Sequence, residues 1–232
     1  MIDIFINNLP ILIVIVPLMM SLFVVLVTNN HLCFLLTLTT TFITFLIALF
    51  LYQEVQKYSS ISYALGNWLP PLGIEYIIDH VSIIPIIIIS GIGFLATLFA
   101  FKIMPSELGK SSISKTYGLW LLAISGLIGL VTTGDAFNLF VFLEISSLAS
   151  VALVAMGAKQ DRQALIAAYN YLIIGAVGAT FYVIGVGLLY AITGTLNMAD
   201  ITSKLALMED NRALIAGFGF MIVGIMVKAA VF

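Results

Sequence analysis

Residues 134–155 read GDAFNLFVFLEISSLASVALVA, an apolar run interrupted by one acid, Glu144. Counted from Asp135, a residue suited to the membrane surface, Glu144 lies roughly 13 Å along a helix that rises 1.5 Å per residue. That depth is near the centre of a hydrocarbon layer about 30 Å thick. An ionisable group placed there is costly, so it faces the interior of a helix bundle, takes a partner, and marks an ion path or a proton relay. The candidate partner is Lys228, close to the end of the sequence.

The remainder of the 232 residues has the same character, 62% hydrophobic and 9% charged, with a mean hydropathy of +1.20. That composition excludes a water-soluble globular domain and predicts a multi-pass integral protein of the cell membrane. The formal charge of −2 is scattered over helix ends and offers no basic surface to a nucleic acid. A single cysteine, Cys33, excludes an intrachain disulfide. His31 and His80 stand at distant segment edges, so no convergent donor set for a metal is expected. No cofactor or redox-catalytic motif is expected either, because the glycine clusters lack the strand–turn–helix setting of a nucleotide fingerprint. The opening MIDIFINNLP has an acid and no basic residue ahead of its apolar run, so the first segment is expected to persist as a helix rather than be removed as a signal peptide.

Seven apolar segments are long enough to span, at about 9–27, 32–51, 81–101, 117–131, 134–155, 164–190 and 213–232. The predicted fold is therefore an all-α membrane protein of about seven transmembrane helices. Pro17 is expected to kink the first, and Thr37, Thr39, Thr40, Thr41 and Thr44 to bond back to carbonyls of the second. Residues 52–80 read as an external loop, with turn signals at Gly66, Asn67, Pro70, Pro71 and Gly73 and a short alternation that could close a small hairpin. Trp68 and Tyr76 would suit the headgroup region. The tight connection at 132–136 makes the fourth and fifth helices antiparallel neighbours. Gly175, Gly178, Gly185 and Gly187 permit close packing of the sixth, and 193–212 is expected to include a short amphipathic surface helix. If Lys102, Lys110, Lys115, Lys159 and Arg162 share one side, they outnumber Lys57, Lys204 and Arg212 on the other. The positive-inside rule then places the N-terminus outside and the C-terminus in the cytoplasm. The chain divides into 1–116, holding the first three helices and the external loop, and 117–232, holding the other four.

At 100° per residue, Ser147 and Ala155 fall on the side of Glu144, while Ser146 and Ser150 lie elsewhere. Gly217, Met221, Gly224 and Lys228 step by four, three and four and share one helix face. Lys228 is about 24 Å of helix beyond Arg212, so by geometry alone it either snorkels to the inner surface or enters the bundle interior. Burial favours the neutral forms of an acid and an amine, whereas pairing favours the charged forms, so making or breaking such a pair moves protons. Asp135 is either the N-cap of the fifth helix or a channel mouth. Tyr169, Asn170 and Tyr171 could border a proton path, although packing or interfacial anchoring is their commoner use. A structural Glu144–Lys228 ion pair in a non-transporting scaffold is the alternative reading.

The string GDAFNLFVFLEISSLASVALV, the segment AAYNYLIIGAVGATFYVIGVGLLYAITGTLNMADI and the ending VKAAVF together resemble the antiporter-like subunits shared by Mrp sodium/proton antiporters, membrane-bound hydrogenases and respiratory complex I. GTLNMADI looks most like the D-type Mrp and hydrogenase branch. The resemblance covers about 66–232. It implies that Glu144 and Lys228 form the first half of a proton channel, with Asp135, Ser147, Gly224 and Tyr169 as candidate mouth or lining positions. It also implies that the helix breaks just after Lys228, which would put the lysine near mid-membrane. Family members continue through six or seven further helices, so the sequence corresponds to an N-terminal half containing one incomplete inverted repeat. The expected partners are other membrane subunits, including a chain supplying the missing C-terminal helices, together with lipid. The expected ions are protons, with sodium as a second candidate.

Overall fold

The computed structural model describes residues 8–108, 112–159, 161–208 and 212–231. The residues 1–7 of the opening segment, Lys110, Gln160 and Phe232 lie outside them. Eight α-helices are described: α1 Leu9–Leu26, α2 Asn30–Tyr58, α3 Ile83–Glu107, α4 Ile113–Thr132, α5 Ala136–Met156, α6 Gln163–Thr193, α7 Met198–Leu205 and α8 Arg212–Lys228. Six of these, α1 to α6, are long and apolar enough to cross a membrane. Strands β1 Ser60–Ala64 and β2 Glu75–Asp79 pair antiparallel, with Tyr63 opposite Tyr76.

Local chemistry explains these elements. Pro10 occupies the first turn of α1, where a missing N–H is harmless, and the helix continues through Pro17. The threonine hydroxyls of α2 bond to their own helix, Thr37 to Cys33 O at 2.8 Å and Thr44 to Thr40 O at 2.9 Å, so buried polar groups are satisfied without a partner helix. Two segment ends differ from expectation. The α2 helix runs on through Tyr58, capped by the N–H of Ser59 on Val55 O, so the loop is shorter than 52–80. The α3 helix extends past Phe101 and through Pro105 to Glu107, because the interrupted polar stretch retains helical residues and needs no break. In the hairpin loop, a Cβ on Gly73 would lie 2.1 Å from Trp68 O, so only glycine fits.

A core cluster joins α1 to α5 and the hairpin through Ile13, Ile47, Leu51, Ile78, Ile83, Ile124 and Phe142. Tyr76 belongs to this core, 3% exposed and 6.3 Å from the Phe142 ring, rather than to the headgroup region. Strand alternation sends Tyr76 and Ile78 inward, and that periodicity overrides the preference of a tyrosine ring for an interface. Burial pushes the Tyr76 phenol up to about 12. Trp68 is exposed, as expected.

The hairpin, the α4–α5 turn and the α6–α7 turn meet at one end of the bundle. Gly134 N–H donates to Glu75 O at 2.8 Å, Ala136 N–H to Leu196 O at 2.9 Å, and Met198 N–H to Gly134 O at 2.9 Å. Asn197 Nδ2 donates to Glu75 Oε2 at 3.0 Å. The Asp135 side chain caps α5, accepting from Asn138 N–H at 2.7 Å. Tyr182 of α6 donates to Ala136 O at 3.1 Å. The start of α5 is thus tied to three separate segments, and the height of Glu144 follows from it.

The α6 and α8 helices pack through glycines seven residues apart on each. A Cβ on Gly224 would lie 2.6 Å from both Gly178 O and Tyr182 N, and one on Gly185 would lie 2.6 Å from Gly217 O. Such backbone approach is available only to glycine. Gly175 and Gly187 have no heavy atom within 4 Å of an added Cβ.

Gly224→Ala forces the two backbones apart and should lower the thermal stability of the detergent-solubilised protein by about 1–3 kcal/mol, the usual cost of overpacking. Gly187→Ala, made into open space, should leave melting unchanged or slightly raised. For Asp135, burial raises the carboxyl above its ordinary value, so the ionised form costs stability above that value and the cost fades as pH falls and the carboxyl protonates. Asp135→Asn, whose amide oxygen can still cap, should therefore melt at least as high as wild type at neutral pH, with the difference shrinking on acidification. Asp135→Ala should lose about 1 kcal/mol.

Candidate functional site

The α5 face predicted to carry Glu144 and Ser147 receives Lys228 from α8. Lys228 Nζ donates to Glu144 Oε1 at 2.7 Å and to Ser147 Oγ at 2.8 Å. The lysine side chain is 8% exposed and the glutamate 29%. Among the described residues, the other ion pairs are local surface contacts, Lys57–Glu54 and Lys204–Asp200, each within one helix.

The position of Lys228 along the bundle is read from α6. The α6 helix has 31 residues, Gly178 is its middle residue, and a Cβ on Gly178 would lie 3.2 Å from Lys228 Cγ. Lys228 therefore crosses the midpoint of α6 to reach α5, and it does not snorkel to the bundle end. It is also the last residue of α8, after which the chain turns, with Ala230 at φ 53°. The seventh expected span, 213–232, is thus a helix of 17 residues that stops level with the middle of its neighbour.

The other candidate positions divide. Ser147 is in direct contact with Lys228. Gly224 packs against α6 and touches Gly178 and Tyr182, so it acts by bringing the helices together and not by lining the site. Asp135 caps α5 at the bundle end. Tyr169 is 63% exposed and does not border the small cavity at the pair. Tyr171, named with Tyr169 and Asn170 as a possible border of a proton path, and Gly178, named for packing, are brought in. Tyr171 borders a small cavity beside Glu144, Ser147 and Lys228, and Gly178 leaves room for the lysine stem. Tyr171, Gly175 and Gly178 step by four and three, so a helical projection of α6 from Gly178 contained that signal.

Among the described residues, no group of three or more His, Cys, Asp and Glu comes together. Cys33 is buried, with Sγ 3.3 Å from Val27 O, and His31 lies beside Phe101. The site brings a carboxylate, a hydroxyl and an amine into one hydrogen-bonded group in an apolar setting.

Comparison with known proteins shows what the chain is similar to. The family profile described as NADH:quinone oxidoreductase/Mrp antiporter, TM, matches residues 133–232. The N-type subunit of NADH-quinone oxidoreductase from Desulforudis audaxviator is 43% identical over 170 residues, covering 73% of this chain and 33% of the relative. The D-type subunit of the Na(+)/H(+) antiporter from Alkalihalophilus pseudofirmus is 32% identical over 216 residues, covering 90% of this chain and 41% of the relative. A chain in the membrane-bound sulfane sulfur reductase, an archaeal respiratory membrane complex, superposes with a TM-score of 0.83 at 32% identity, covering 94% of this chain and 44% of that one. The chain spans less than half the length of these relatives. Through residues 133–232, which hold both Glu144 and Lys228, it belongs with the antiporter-like membrane subunits of the NADH:quinone oxidoreductase/Mrp antiporter family.

Proposed function

We propose that the chain translocates protons as the N-terminal half of an antiporter-like subunit, working within a multisubunit cation/proton antiporter or a related ion-pumping redox complex. The observation that supports this is the 2.7 Å contact between Lys228 Nζ and Glu144 Oε1, halfway along α6 in an apolar bundle. A proton reaching the pair converts one charged partner to neutral, and the ion pair loosens. A proton leaving restores the charge and the attraction. The relatives span further helices, and in this reading those helices, in this or a neighbouring polypeptide, complete the path. The D-type relative is named for sodium and protons, so sodium is the candidate counter-ion. The bundle end bearing Lys102, Lys115 and Arg162 faces the cytoplasm, and the hairpin faces outward.

In assembled complex, Glu144→Gln and Lys228→Ala should each reduce ion-driven proton movement in membrane vesicles to background, at unchanged subunit content. Unchanged transport in both variants rejects the proposal. Loss of assembly that is restored by exchanging the two residues, with no flux restored, favours the scaffold reading instead.

A further inference from the structure

Ser147 differs from the serines beside it on α5. Ser146 donates to Leu143 O at 3.1 Å and Ser150 to Ser146 O at 2.8 Å, the ordinary use of a helical hydroxyl in an apolar span. Ser147 Oγ instead accepts from Lys228 Nζ at 2.8 Å. Glu144 and Ser147 take two of the three ammonium N–H groups. A cavity of about 20 Å³ bounded by Glu144, Ser147, Tyr171 and Lys228 has room for one water to take the third.

The two partners of Lys228 are not equivalent. An ionised carboxylate only accepts, whereas a hydroxyl both accepts and donates. When the ammonium passes a proton to Glu144 Oε1, an N–H bond breaks, an O–H bond forms, and a neutral amine faces a neutral acid. When Glu144 then gives that proton to a water of the path, it is a carboxylate again and has no hydrogen to offer the amine lone pair. The Ser147 hydroxyl does have one. Rotation about Cβ–Oγ turns its O–H toward Nζ with no heavy atom moving.

We infer that Ser147 is the positioning residue that holds Lys228 beside Glu144 in both of the lysine's protonation states, accepting from the ammonium and donating to the neutral amine. The inference rests on the proton-translocating reading of the Glu144–Lys228 pair. Without Ser147, the flexible four-carbon stem has no anchor once its proton has left, and reprotonation in register with Glu144 becomes infrequent.

The test measures proton translocation in everted membrane vesicles, with rates normalised to assembled complex, for Ser147→Ala and Ser147→Thr beside Glu144→Gln and Lys228→Ala. Ser147→Ala should slow translocation by about fivefold, the loss expected for one hydrogen bond. Ser147→Thr, which keeps the hydroxyl, should restore at least half of the wild-type rate. A wild-type rate in Ser147→Ala, or a rate in Ser147→Thr no better than in Ser147→Ala, overturns the inference while the ion-pair reading stands. Full translocation by Glu144→Gln and Lys228→Ala removes the ion-pair reading, and this inference falls with it.

Discussion

A lysine ammonium held against a carboxylate in the middle of an apolar bundle is close to energetic balance, and the rest of the structure serves that balance. At 2.7 Å the attraction is about 6 kcal/mol for an effective dielectric of roughly 20. Removing the two ions from water costs several kcal/mol each. These terms are of similar size, so the contact gains little net stability from its charges. Glu144 keeps 29% of its side chain exposed while Lys228 is almost enclosed, so the carboxylate is the more accessible partner.

Such a poised contact needs fixed backbones, and two different devices provide them. At the bundle end, backbone bonds among Glu75, Gly134, Ala136, Leu196 and Met198 tie the start of α5 to the hairpin and to the α6–α7 turn. Farther along, the glycine pairs Gly178–Gly224 and Gly185–Gly217 let α8 lie directly on α6. The first device sets the height of Glu144, and the second sets the height of Lys228. Gly178 contributes twice, since it both admits the backbone of α8 and leaves passage for the lysine stem.

Much of this was legible in the sequence, because an acid, a lysine and their small neighbours in apolar helices are exposed by periodicity alone. The Glu144–Ser147 face and the Gly217–Met221–Gly224–Lys228 face both follow from 100° per residue. The position of Lys228 along the bundle did not follow, because counting from Arg212 assumes where the helix meets the membrane, whereas its contact with the midpoint of α6 is a matter of packing. Tyr76 was misplaced because a tyrosine suits both a headgroup region and a core, and the strand pairing that turns it inward is a non-local fact. Tyr171 rather than Tyr169 reaches the site for a similar reason: which face of α6 meets α5 is decided by packing, and α6 is apolar nearly all round. The ends of α2 and α3 ran past the apolar segments because hydropathy marks the hydrocarbon and not the helix.

The central claim is that the proton on this pair moves between Lys228 and Glu144 during turnover. Infrared difference spectroscopy of the assembled complex, comparing rest with active ion translocation, measures this directly. A protonated-carboxyl band that grows during turnover and is absent from Glu144→Gln is the predicted result. A Glu144 carboxylate signal that stays unchanged throughout turnover would contradict the account.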